Sequence, residues 1–224
     1  MTLTPIILVP GTWSWPPRST TPPWYMRHSP FDGYLASRGW QGAQGRDHRP
    51  FIWSTRATGY QFWDRLLGRE AQMQADWAAA AVNLYAWVVP PLAPEHRLPP
   101  HQTTVLTHSH GIQVALLAAA QGLKIHTLID VGGPVRRDIQ SQLTPAARAN
   151  IGYWWHIHTG EDWWRRLGQL NGGIGQPVAA QFRADRIQNI PKAGHNRLLK
   201  DPAWMPLLDG VLDYAQQRYN TPTL

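Results

Sequence analysis

The stretch Thr104-Val-Leu-Thr-His-Ser-His-Gly111 runs from apolar residues into a serine flanked by two histidines and closed by glycine. A run of helix-forming residues, Ile112 to Gly122, follows at once. Thr103 to Leu106 reads as a short buried strand, and the alanine-rich run after it as a helix. Ser109 therefore stands at a strand-to-helix turn. A serine at a helix start is ordinarily an N-cap. It becomes a nucleophile only when a base and an orienting carboxylate are brought to it.

Working outward from this turn, the same alternation recurs. Pro5 to Val9 is a short apolar run stopped by Pro10-Gly11. Phe51 to Ser54 reads as a second strand. His126 to Val131 and Tyr153 to His158 read as further strands, and Arg186 to Ile190 as the last. Residues 69–89 form a helix in which Met73, Trp77, Ala81, Leu84 and Val88 share one face, and Pro90-Pro91 stops it. Asp201 to Arg218 reads as a closing helix. Between the first two strands lies a long Trp- and Pro-rich loop at about 12–50, holding a short helix near Phe31 to Ser37. Short apolar strands alternating with helices predict an α/β fold, a mostly parallel open sheet with helices on both faces. The 224 residues show no internal repeat and no dividing linker, which suits one domain spanning 1–224.

Composition narrows the class. Hydrophobic residues make up 43% and charged residues 16%, values of a globular chain. With no cysteine, disulfides and thiolate metal sites are excluded. The net charge is +7, but the basic residues are scattered and form no footprint for nucleic acid. No stretch reaches the roughly 18 apolar residues of a membrane span. The start, MTLTPIILVPG, lacks the basic and apolar regions of a signal peptide, so a cytoplasmic protein is expected. The sequence carries no signal for an oligomeric state.

In an open parallel sheet, ligands bind beyond the carboxyl ends of the strands. The chemically capable residues fall there: Gly11-Thr12, Ser109, Asp130, Glu161-Asp162 and His195. Asp162 follows the strand ending near His158, and His195 follows the last strand. Serine, carboxylate and histidine thus occur in that order. Asp130, at the end of its strand, and Glu161 are alternative acids; a role for Asp130 in capping the turn into Gly132-Gly133 is its structural reading. The pairs His108/His110 and His156/His158 raise a rival metal chemistry, but no HExxH motif or longer His/Asp cluster accompanies them. Neither metal nor cofactor is expected.

These residues carry a resemblance. Thr107-His-Ser-His-Gly111 resembles the G-x-S-x-G nucleophile elbow of the α/β-hydrolases, whose chain order is Ser, acid, His. Pro10-Gly-Thr12 resembles that family's oxyanion loop. Gly160-Glu-Asp162 and Gly194-His195 match the acid and histidine positions, so the resemblance spans nearly the whole chain. It implies that Ser109 is the nucleophile, Asp162 the acid and His195 the base. It also implies that the backbone N–H groups of Thr12 and His110 form the oxyanion hole. Two leading strands of the full fold would be missing, and no separate cap domain would be present. Thr107 departs from the family's glycine, and Pro10 from its usual histidine.

The implied activity is a serine hydrolase cleaving small-molecule or lipid carboxylic esters. Trp13 and Trp15, beside the oxyanion loop, would line the substrate pocket. The alternatives are a non-catalytic binding protein on a hydrolase scaffold, or a histidine-based metallohydrolase.

Overall fold

A computed structural model describes residues 3–11, 22–55, 66–89, 92–98, 102–133, 135–136, 144–159, 173–174, 184–190, 192–194 and 197–221. The strands are β1 (Thr4–Val9), β2 (Trp40–Gly42), β3 (Thr104–His108), β4 (Thr127–Val131), β5 (Val135–Arg136), β6 (Trp154–Thr159), β7 (Gly173–Ile174) and β8 (Arg186–Ile190). The helices are α1 (Pro30–Ser37), α2 (Glu70–Val88), α3 (Gly111–Ala120), α4 (Pro145–Ala149), α5 (Arg197–Lys200) and α6 (Asp209–Asn220). Six strands form one sheet in the order β2-β1-β3-β4-β6-β8, and every pair in it is parallel. The short β5 and β7 pair antiparallel apart from it.

Alternation of side chains divides the core in two. Ile7, Val9, Val105, Leu128 and Trp154 face α2 and α3, where Met73, Trp77, Ala81, Leu84 and Ile112 meet them. Ile6, Leu8, Leu106, Ile129, Trp155 and Ile157 face the other layer, with Phe31 and Leu35 of α1, Leu198 and Leu199 of α5, and Val211 and Leu212 of α6. Strands covered on both faces have little room for polar residues, which is why β1, β3 and β4 read as apolar runs. β8 is an edge strand and correspondingly exposed or half-buried up to its last residue, Ile190. There Arg186 lies 4.1 Å above the Trp155 ring.

The structure corrects the sequence reading in two places. Phe51 to Ser54 is not a strand. Phe51 and Trp53 are buried and Ile52 is exposed, which mimics strand alternation, but the segment joins no ladder. Its anchor is a side chain: the Trp53 indole N–H donates to the Pro10 carbonyl at 2.6 Å. The strand beside β1 is instead β2, inside the stretch read as loop. Trp40 is fully buried against Tyr219, and α1 delivers the chain to it. The second correction concerns the closing helix. Residues 201–208 break into a turn and a 3₁₀ segment, Met205–Leu208, before α6 begins. Pro202 and Pro206 have no N–H to donate, so a continuous helix from 201 is not available.

Candidate active site

Ser109 stands at the carboxyl end of β3, one residue beyond its last paired residue. Its φ is +53°, in the left-handed region that a non-glycine residue seldom adopts. Its backbone N–H donates to the Val131 carbonyl at 3.1 Å, which ties the turn to the end of β4. Ile112 N–H donates to the Ser109 carbonyl and Gln113 N–H to that of His110, starting α3. The residue in the N-cap position is His110, so the hydroxyl of Ser109 is not spent on capping. Ser109 and His110 are half-buried, whereas β3 beneath them is buried throughout.

Two glycines make the turn possible. A Cβ on Gly111 would lie 2.4 Å from the Val9 carbonyl oxygen and 2.8 Å from that of Pro10. Glycine there lets the start of α3 lie directly on the end of β1. A Cβ on Gly11 would lie 2.8 Å from Ser109 Cβ and 3.3 Å from its Oγ. The structure therefore brings the Gly11 backbone against the Ser109 side chain. Thr12, Trp13, Trp15, Glu161, Asp162 and His195 lie outside the described residues.

The flanking histidines separate. His108 packs its ring against Trp24, centroids 5.9 Å apart, on the α1 side of the sheet. His110 packs against Trp77 of α2 at 5.6 Å, on the opposite side. Among the described residues, no group of three or more His, Asp and Glu side chains is placed to hold a metal ion.

Sequence reasoning missed one cluster. Asp130 is fully buried, and its Oδ1 accepts from the Thr107 hydroxyl at 3.1 Å. Its Oδ2 lies 2.6 Å from Nδ1 of His156, itself 3% exposed. Gly133 folds over the same carboxylate, where a Cβ would meet Oδ1 at 2.1 Å. Asp130 thus engages Thr107 and His156 and lies against the turn at Gly133. The signal was present in the sequence as polar residues, Thr107, Asp130 and His156, near the carboxyl ends of three buried strands.

No family model matches this sequence, and no curated protein does. Among solved structures the chain is similar to a methylesterase from Arabidopsis, with a TM-score of 0.55 at 12% identity, covering 96% of this chain and 99% of that one. It is similar to a dienelactone hydrolase-like promiscuous phosphotriesterase from metagenomic libraries, with a TM-score of 0.53 at 12% identity over 96% and 86% of the two chains. A cold-adapted esterase from an Arctic intertidal metagenomic library gives 0.50 at 18% identity over 97% and 83%. The parallel six-stranded sheet and these likenesses define the class: this chain has the α/β-hydrolase fold. Among the described residues, no helix is long and apolar enough to cross a membrane.

Proposed function

We propose that this protein is a serine hydrolase cleaving carboxylic esters, with Ser109 as nucleophile. The observation that carries the reading is the backbone of Ser109, held at φ +53° between a buried strand and a buried helix with Gly11 and Gly111 packed against it. A left-handed non-glycine residue costs about 1–3 kcal/mol and persists only where the surroundings impose it. A binding scaffold has no need of that strain, whereas a nucleophile does, because the turn lifts the hydroxyl clear of the strand end. That the similar structures include a methylesterase and an esterase supports the ester class.

In this reading Ser109 Oγ attacks the ester carbonyl while His195 takes its proton. Asp162 holds the tautomer of His195 and stabilises the imidazolium. The N–H groups of Thr12 and His110 receive the oxyanion, and loss of one such donor costs about 10²–10³ in rate. His195 then returns the proton to the departing alcohol. Water, activated by the same histidine, hydrolyses the acyl-enzyme. Asp130 serves poorly as the acid, since it is fully buried and already engaged by Thr107 and His156. Trp13 and Trp15 would flank the acyl group.

A fluorophosphonate probe tests this. Labelling of the folded protein, located at Ser109 by mass spectrometry and lost in Ser109→Ala, is the expected result. Hydrolysis of p-nitrophenyl esters should fall with it, and should fall also in Asp162→Asn and His195→Ala. An unlabelled wild-type chain, or ester hydrolysis unchanged in Ser109→Ala, would overturn the proposal. Ranking short against long acyl esters then identifies the substrate class.

A further inference from the structure

Thr107, Asp130 and His156 occupy equivalent positions on three neighbouring strands: Thr107 pairs with Asp130, and Asp130 with His156. Their side chains share the face covered by α2 and α3, since Val105, Leu128 and Trp154, each two residues earlier, lie in that layer. The resulting row is Thr107 Oγ1–H to Asp130 Oδ1 and His156 Nδ1–H to Asp130 Oδ2. It is buried along its whole length. An apolar row would fill the same layer without the penalty of burying a carboxylate, and a pair of this kind is weak evidence of stability in itself. Its position is more informative. Thr107 is two residues before Ser109, and the Val131 carbonyl that holds the Ser109 N–H is the residue after Asp130. A side-chain bond and a backbone bond therefore clamp the ends of β3 and β4 at consecutive positions. His156 extends the clamp to β6, whose end leads on to Asp162.

We propose that Thr107, Asp130 and His156 are positioning residues that lock the ends of β3, β4 and β6 and so hold the Ser109 turn in its strained geometry. Thr107 stands where the resembling family carries glycine because its hydroxyl is needed for this row. Their action runs through the strand ends to the Ser109 turn. The catalytic arm of the inference rests on the reading of Ser109 as nucleophile; the structural arm does not.

Thr107→Val keeps the shape and removes the donor. A displacement of about 1 Å at a reacting group can cost on the order of 10²-fold. We expect kcat and the rate of fluorophosphonate labelling to fall by about 10- to 100-fold in Thr107→Val, with KM little changed, and Thr107→Ser to stay close to wild type. His156→Asn, whose amide nitrogen can replace Nδ1, should retain labelling. His156→Gln, one carbon longer, should lose it. This pair decides the matter even if Thr107→Val does not fold, because both amides are polar and similar in size.

Amide hydrogen exchange at Ser109 gives a readout independent of turnover. It should quicken in Thr107→Val and His156→Gln and not in Thr107→Ser or His156→Asn, while exchange in the middle of α3 stays unchanged. If wild-type protein is not labelled, the hydrolase reading fails and exchange alone decides the clamp. Equal labelling and equal Ser109 exchange across the conservative and disruptive variants would overturn the inference, as would a loss confined to KM.

Discussion

Replacing Gly111 with alanine tests the packing that places Ser109. The added Cβ would stand 2.4 Å from the Val9 carbonyl oxygen, where ordinary contact begins at 3.4 Å, so helix and strand must separate by about 1 Å. β1 has no freedom to retreat, because Ile7, Leu8 and Val9 pair with Val105, Leu106 and Thr107 of β3. The helix must lift instead. α3 has 10 residues, and every one from Gly111 to Ala119 is buried, so lifting disturbs the whole layer it shares with α2. Overpacking of this kind costs about 1–3 kcal/mol. The better helix propensity of alanine offsets less than about 1 kcal/mol, since Gly111 is the first helical residue. A net loss of about 2 kcal/mol is expected, equivalent to about 4–8 °C in Tm for a chain of this size. Urea unfolding followed by tryptophan fluorescence should show a lower midpoint at unchanged slope. Gly33→Ala is the control. It lies in α1 with nothing within 4 Å of a new Cβ, and should gain about 0.5–1 kcal/mol. A wild-type midpoint in Gly111→Ala, or equal losses in the two variants, would refute the close-approach argument.

Ser109→Gly should abolish labelling yet stabilise the fold by about 1 kcal/mol, because glycine adopts φ +53° without the Cβ penalty; calorimetry of Ser109→Gly beside Ser109→Ala, which keeps the strain, separates the two effects. Trp40→Ala should cost about 3–5 kcal/mol, since the fully buried ring anchors β2, whereas the exposed Val82→Ala should stay within about 0.5 kcal/mol; both are read from urea midpoints. Burial lowers the pKa of His96, with Arg27 and His48 adding to the effect against Glu95, and burial and then Arg218 lower that of His126. Both folded values lie below the unfolded value of about 6.5, so the unfolded chain takes up protons first as the pH falls. The stability these histidines lend is full above about pH 6.5 and is lost as the pH drops through the folded values. Urea midpoints between pH 7.5 and 5.5 should fall less steeply in a His96→Gln/His126→Gln variant than in wild type.

The sequence by itself determined most of the sheet. β1, β3 and β4 are buried on both faces and so read as short apolar runs, and α1, α2 and α3 stand between successive strands from β1 to β4. It also determined the turn at Ser109, because a small polar residue between Leu106 and an alanine-rich helix, followed by Gly111, leaves few other conformations. Periods and compositions report burial, however, and not partners. β2 is three residues long, too short to show a period, and only the docking of Trp40 made it a strand. Phe51 and Trp53 alternate like a strand, but the Trp53 indole bonds Pro10 and the segment stays outside the sheet. Thr107 looked like a misfit in the turn because its hydroxyl finds Asp130 across 23 residues of sequence, and Asp130 finds His156 across 26 more. Such a row exists only once strand register has set the three residues side by side, since hydrogen bonds depend on atomic positions that sequence distance does not encode. The chain dictated a serine at a turn; the packing of three strand ends decided how that serine is held.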